Sequence, residues 1–135
     1  MRKLALIGLI GAALVATPVA AGELDGVWFT QSGDTKVKLY QCGSNYCGKI
    51  VWLKKPQKDA KNEDKSKRSR NVVGIKMINN AKPQGGGEYK GKLYNYDDGK
   101  TYTGVLKKSG ANRLKLSGCV WGGLICKSQT WKRAN

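Results

Sequence analysis

The chain has 135 residues, of which 25 are Lys or Arg and 9 are Asp or Glu, and it contains no histidine. The formal charge of +16 predicts attraction to anionic partners and carries no information about the fold. The lack of histidine excludes Ser–His and Cys–His nucleophilic sites and histidine-ligated metals, so neither a metal nor a cofactor is predicted.

Residues 1–21 have the pattern of a secretory signal peptide. Arg2 and Lys3 precede the apolar run LALIGLIGAALV, and TPVAA offers small residues for cleavage after Ala21. The apolar run is too short to span a bilayer. We therefore expect a secreted or periplasmic protein with a single domain over 22–135. Without Arg2 and Lys3 it keeps 23 basic and 9 acidic residues, a formal charge of +14.

Short alternating runs separated by Gly, Asn, Asp and Ser predict an all-β fold. In TKVKLYQ, Val37 and Leu39 alternate with lysines, and Leu114 and Leu116 do so in NRLKLSG. Because an unpaired lysine is not placed in a core, the lysines mark the outer face. Eight strands are predicted, at 26–31, 35–41, 46–53, 72–79, 88–95, 101–107, 112–118 and 127–133. Eight short antiparallel strands favour a closed up-and-down barrel, which has no sheet edges, with a two-sheet sandwich as the alternative.

The four cysteines form two local pairs, in CGSNYCG (Cys42 and Cys47) and CVWGGLIC (Cys119 and Cys126). Four cysteines allow three connectivities, and local pairing is favoured because each pair brackets a turn between antiparallel strands. A zinc site is disfavoured because zinc knuckles usually have two residues between their cysteines. A thioredoxin-like centre would need Cys-x-x-Cys, which is absent. Export makes two structural disulfides the favoured interpretation.

The segment 54–71 breaks the strand pattern, since it is long and polar and holds eight basic and three acidic residues. A loop of this length is usually a lid, a binding loop or a disordered segment. One interpretation is that Asp64 pairs with Arg68 and pins the loop, and the other is that the loop gates the mouth of the barrel.

The interior of an eight-stranded barrel either is filled by side chains or holds one small ligand. The alternation predicts an inward-facing set of candidate ligand-binding residues: Ile50, Trp52, Ile75, Met77, Tyr89, Leu93, Tyr102 and Leu106. A concave site is mostly apolar and aromatic, so a small apolar or amphipathic ligand would suit this set. The same residues would equally serve as a packed core.

Several motifs in this order resemble a family of exported bacterial proteins, the domain of unknown function 2147 family. They are GVWFT, CGSNYCGKIVWLKKP, NEDKSKRSRNVVGIKMI, LYNYDDGKTYTG and SQTWKR, and the resemblance extends over essentially the whole chain after residue 21. The resemblance implies a small lipocalin-like, calycin-type barrel. It also implies that Trp28, from the first strand, packs under Arg133, near the chain end, and closes one end of the barrel. This contact would be a cation–π interaction with an architectural role.

Two functions remain open at this level. The first is a ligand-binding barrel, and the second is a basic protein with a filled barrel that binds anionic lipid headgroups, lipopolysaccharide or acidic glycans. No nucleic-acid fold signature is present, and export argues against a genomic role. An enzyme is not predicted, because Asp97 and Asp98 are consecutive and would point to opposite faces of a strand.

Overall fold

The computed structural model describes residues 22–134, so the predicted signal peptide at 1–21 lies outside the described residues. Eight antiparallel strands follow one another around a closed barrel, and the last strand pairs with the first. The strands are β1 (Gly26–Phe29), β2 (Thr35–Cys42), β3 (Asn45–Leu53), β4 (Lys76–Gly85), β5 (Glu88–Asn95), β6 (Lys100–Gly110), β7 (Arg113–Val120) and β8 (Ile125–Arg133). The predicted eight-stranded up-and-down barrel is confirmed. No helix within residues 22–134 is long and apolar enough to cross a membrane.

The fourth strand differs most from its predicted bounds, 72–79. It begins at Lys76, because Val72 donates its backbone N–H to Gln57 O at 3.0 Å and so closes the long loop on itself. It then continues through the glycine-rich stretch to Gly85, whose φ of 90° is in the left-handed region where glycine has no steric penalty. The first strand is shorter than predicted and ends at Phe29.

Both local disulfides are present, as predicted. Cys42 and Cys47 join the ends of β2 and β3, and Cys119 and Cys126 join β7 and β8 with their Cα atoms 4.1 Å apart. Cys119 and Cys126 also face each other in the β7–β8 register. Each bridge therefore closes a hairpin.

The alternating strand directions give the barrel two different ends. Loops 30–34, 54–75, 96–99 and 121–124 lie at one end, here called the mouth end. Turns 43–44, 86–87 and 111–112 and both ends of the described chain lie at the other, here called the closed end.

Tryptophans fill the closed end. Trp28 and Trp131 are fully buried, and Trp28 donates its indole N–H to Leu24 O at 3.0 Å. The Arg133 guanidinium lies 4.2 Å from the centre of the Trp28 ring and donates to Asp25 O at 2.8 Å. A cation–π contact over a buried ring contributes about 1–2 kcal/mol. This is the contact that the family resemblance implied for Trp28 and Arg133.

Trp52 does not face inward as predicted. Lys36 pairs with Trp52 and Val37 pairs with Ile50, so Val51 is an extra residue in β3, a β-bulge. The bulge reverses the alternation beyond Ile50. Trp52 therefore lies 38% exposed on the outer wall, with its ring 6.2 Å from that of Phe29.

Candidate functional site

A cavity of about 840 Å³ enters the barrel from the mouth end. Its volume is in the range of small-molecule sites, which is about 300–1,000 Å³. The strand residues that line it are Thr35, Met77, Leu93, Tyr94, Asn95, Tyr102, Leu116, Gly118, Val120, Ile125, Lys127 and Gln129, and the rim adds Thr30, Gln31, Ser32, Asp34, Tyr96, Asp97 and Asp98.

Two glycines that face each other shape the cavity wall. Gly104 pairs with Gly118 across β6 and β7. A Cβ on Gly104 would come 2.9 Å from Leu93 Cβ, so this glycine allows Leu93 to pack. A Cβ on Gly118 would meet its nearest atom, Leu93 Cδ2, at 3.4 Å, an ordinary contact. Gly118 therefore leaves open a space that a larger side chain would occupy.

The polar groups of the cavity are concentrated towards the mouth. Lys127 pairs with Gly118, which places it on the inner face of β8 near the mouth. Gln129 pairs with Leu116 and lies deeper, where Trp131 Nε1 donates to its Oε1 at 2.7 Å. Tyr102 donates its hydroxyl hydrogen to Asp98 on the rim. This hydrogen bond raises the pKa of Tyr102 above its usual value. The cavity thus combines an apolar inner wall with polar groups near its entrance.

A buried carboxylate anchors the long loop beside the mouth. Asp59 is fully buried and accepts hydrogen bonds from Tyr94 Oη at 2.6 Å, Asn62 Nδ2 at 2.8 Å and Arg70 Nε at 3.0 Å. Burial alone would raise the pKa of Asp59, but these three donors outweigh it and hold the pKa below its usual value. Burial and the Asp59 carboxylate raise the pKa of Tyr94 to about 12.

The predicted Asp64–Arg68 pair does not form. Asp64 accepts hydrogen bonds from the backbone N–H and hydroxyl of Ser66, at 3.0 and 2.6 Å, and Arg68 Nε donates to Asn62 O at 2.7 Å. The loop is pinned, as that interpretation expected, but by other residues. A side chain on Gly99 would overlap with the Lys61 carbonyl, so the β5–β6 turn also packs tightly on this loop.

Three of the eight predicted interior residues line the cavity: Met77, Leu93 and Tyr102. The others lie elsewhere. Ile50, Ile75 and Leu106 are buried in the core, and Tyr89 packs edge-on against Tyr46 with ring centres 5.0 Å apart. Trp52, on the outer wall, is no part of the cavity.

The prediction missed the contribution of β7 and β8. The alternation of Leu114 and Leu116, continued along β7, reaches Gly118 and Val120. The pairing of Cys119 with Cys126 then fixes Gly118 opposite Lys127. Both signals are in the sequence, but using them requires the disulfide to be treated as a register marker.

Comparisons with known proteins agree with this architecture. Residues 26–133 match the model of a family described as an uncharacterized protein conserved in bacteria, DUF2147. Among solved structures, one match is protein HP1028 from the human pathogen Helicobacter pylori, which is described as belonging to the lipocalin family. That match has a TM-score of 0.75 and 26% sequence identity and covers 83% of each chain. No curated protein matches the chain.

Proposed function

Because this chain belongs to the DUF2147 family and folds as a lipocalin-like barrel, we propose that it binds a small apolar or amphipathic molecule inside the barrel. The observation that carries this proposal is the cavity of about 840 Å³ that is open at the mouth end. If the barrel had only a structural role, we would expect side chains to fill its interior, because protein interiors are normally close-packed.

The lining supports an amphipathic ligand. The apolar part would pack against Met77, Leu93 and Leu116, and the polar end would remain near the entrance. There, Lys127 would pair with a carboxylate or phosphate headgroup.

The proposed setting is outside the cytoplasm. The charge pattern and apolar run of residues 1–21 support export, as do the two disulfides, which persist in oxidising compartments. An exported carrier would hold a molecule that is poorly soluble in water.

Native mass spectrometry of protein isolated after export tests the proposal. The expected spectrum shows added mass that disappears on denaturation and that identifies the ligand class. The matched variants are Gly118→Phe, which places a ring in the cavity, and Ser117→Phe, which places the same ring at the adjacent outward-facing position.

Gly118→Phe should lose the added mass, and Ser117→Phe should keep it. Equal retention by both variants would show that the molecule sits elsewhere. If the native spectrum shows no added mass, titration with a fluorescent fatty acid applies the same comparison of variants. If that ligand also fails to bind, the proposal is wrong.

The alternative is a filled barrel that acts through its basic surface. It predicts binding that weakens steeply with added salt, whereas binding inside the cavity should change little. The open cavity favours the first function.

A further inference from the structure

The most exposed apolar side chains described in the barrel lie together in the β7–β8 turn. Trp121 is 77% exposed, Leu124 is 86% exposed and Ile125 is 59% exposed. We call residues 121–125 the apolar tip. Trp121 differs from the other tryptophans, since Trp28 and Trp131 are fully buried and Trp52 is half as exposed. Clustered exposed apolar groups usually mark an interaction site.

The backbone of the apolar tip presents these side chains outward. Trp121 has a φ of 56°, in the left-handed region that bulky residues rarely adopt. Gly122 and Gly123 follow with φ values of 65° and 93°. The Cys119–Cys126 disulfide closes the hairpin at its base. A strained aromatic residue that is held exposed on a stapled turn indicates a functional role.

Charge decides between the possible occupants of the apolar tip. The sequence over 22–135 has a formal charge of +14, so two copies would repel each other on approach. The loop 54–71, which begins at the same end of the barrel, holds eight basic and three acidic residues. The β1–β2 and β5–β6 loops carry only acidic residues, Asp34, Asp97 and Asp98, so the mouth-end loops together hold eight basic and six acidic residues. These loops keep a small excess of positive charge on a strongly basic protein, and a surface with a negative charge and an apolar interior complements both this charge and the apolar tip.

We propose that the apolar tip inserts into the interfacial region of an anionic lipid bilayer and that the mouth end of the barrel faces the membrane. Tryptophan is favoured at the boundary between headgroups and acyl chains, where its ring is partly buried and its N–H stays hydrated. Lysines and arginines near the surface add attraction to anionic headgroups. This inference does not depend on the proposed ligand-binding function.

The position of the apolar tip gives docking a geometric consequence. Val120 and Ile125, which bracket the turn, also line the cavity. The inserted turn would therefore lie at the entrance of the cavity, and the opening would face the lipid rather than the water.

The purified protein is mixed with vesicles of phosphatidylglycerol and phosphatidylcholine in equal parts, or of phosphatidylcholine alone. Sedimentation measures binding, and the difference in tryptophan fluorescence between the unchanged protein and Trp121→Asn reports the surroundings of Trp121, because the three other tryptophans also emit. We expect binding to the anionic vesicles with a blue shift of the emission. The variant Trp121→Asn, in which asparagine tolerates the positive φ, should bind about tenfold more weakly. Leu124→Asn should also weaken binding.

Trp52→Asn is the matched control, because it removes a partly exposed tryptophan from the outer wall of the barrel, outside the apolar tip. It should bind the vesicles as the unchanged protein does and should keep the blue shift. Equal binding by Trp121→Asn and Trp52→Asn would overturn the proposal and assign the attraction to the basic surface alone.

Three other results would also overturn it. The first is no binding to anionic vesicles. The second is a dimer, seen in sedimentation velocity without lipid, that Trp121→Asn abolishes, since this would make a second copy the occupant. The third is Trp121 emission that is already blue-shifted before vesicles are added, which would mean that another part of the chain covers the apolar tip.

Discussion

The two ends of the barrel differ in how tightly their side chains are packed. At the closed end, Trp28 and Trp131 are fully buried, and Arg133 covers the Trp28 ring. At the mouth end, the strands surround an open cavity, and Trp121 lies exposed in a turn. The same residue type thus closes one end and remains in solvent at the other. The difference indicates that tight packing is concentrated at the closed end, whereas both proposed binding functions involve the mouth end.

The two disulfides show the same contrast. Cys42–Cys47 spans five positions around the polar turn at Gly43 and Ser44, and Cys119–Cys126 spans seven around the apolar tip. Their expected contributions to stability are similar because the loops that they close are similar in length. What differs is the surface that each turn presents.

Replacing Trp28 by alanine should have the largest effect on stability. Truncating a fully buried tryptophan leaves a cavity and typically costs 3–5 kcal/mol, and here it also removes the Arg133 contact. We expect a loss of about 4 kcal/mol in the free energy of unfolding, measured by urea denaturation. Trp52→Ala is the control and should cost about 1 kcal/mol, since its ring is partly exposed. Equal losses would refute the assignment of stability to the closed end.

Removing either disulfide should cost about 2–2.5 kcal/mol. The double variants are Cys42→Ala with Cys47→Ala and Cys119→Ala with Cys126→Ala, each compared with the unchanged protein by urea denaturation. Only the second pair should also weaken binding to anionic vesicles, because only that bridge holds the apolar tip. Weaker vesicle binding in both variants would mean that the ends are less independent than the structure indicates.

Asp59→Asn should cost about 1.5 kcal/mol, because it replaces the charged acceptor of Arg70 and Tyr94. Asp64→Asn, at an exposed carboxylate in the same loop, should cost much less. The folded-state pKa of Asp59 is lowered, so its contribution is complete above the unfolded value of about 3.9. It is lost as the pH falls through the folded pKa. Urea denaturation at pH 7 and pH 3 measures both effects, and a difference between Asp59→Asn and the unchanged protein that grew towards pH 3 would contradict this account.

The smallest expected effect is a loss of stability at high pH, which is absent at neutral pH and involves one tyrosine near each end of the barrel. Burial, the largest cause in each case, raises the pKa of Tyr46 at the closed end and of Tyr94 near the mouth to about 12. Between the usual tyrosine pKa of about 10 and this value, the unfolded chain loses protons first, so stability should fall as the pH rises. The pKa values of Tyr89, Tyr96 and Tyr102 are also raised, so ultraviolet titration of tyrosinate should show late ionisation with two residues last, and Tyr94→Phe should remove one of these two. Ionisation of all six tyrosines near pH 10 would contradict the assignment.

Much of the fold could be predicted from the sequence because strand alternation is a local signal. Lysines that alternate with Val37, Leu39, Leu114 and Leu116 mark the outer face, and the closely spaced cysteines mark two hairpins. The failure at Trp52 has a local cause that the sequence conceals. One unpaired residue, Val51, reverses the alternation of inward and outward side chains, and no turn-forming residue next to it marks the bulge in the sequence.

The site was less predictable because its contacts are distant in sequence. Sequence proximity predicts a pair between Asp64 and Arg68, whereas in the structure Asp59 pairs with Arg70 and with Tyr94, which is 35 positions away. Exposure of the apolar tip was also not predicted, since apolar residues between two strands are ordinarily assigned to the core. Only the closed barrel shows which of them remain in solvent.

The closure of the barrel has a consequence for folding kinetics. β1 pairs with β8 at Trp28–Arg133 and Phe29–Lys132, whereas β5 pairs with β6 along its whole length, from Glu88–Lys107 to Asn95–Lys100. We call the β1–β8 pairing the seam; it joins the first strand to the last. Closing so long a loop costs entropy, and this cost is offset only after the hairpins have formed. We therefore expect closure of the seam to follow the folding transition state. Stopped-flow measurements should find that Trp28→Ala mainly accelerates unfolding and scarcely slows folding, so the lifetime of the folded barrel depends on its shortest pairing.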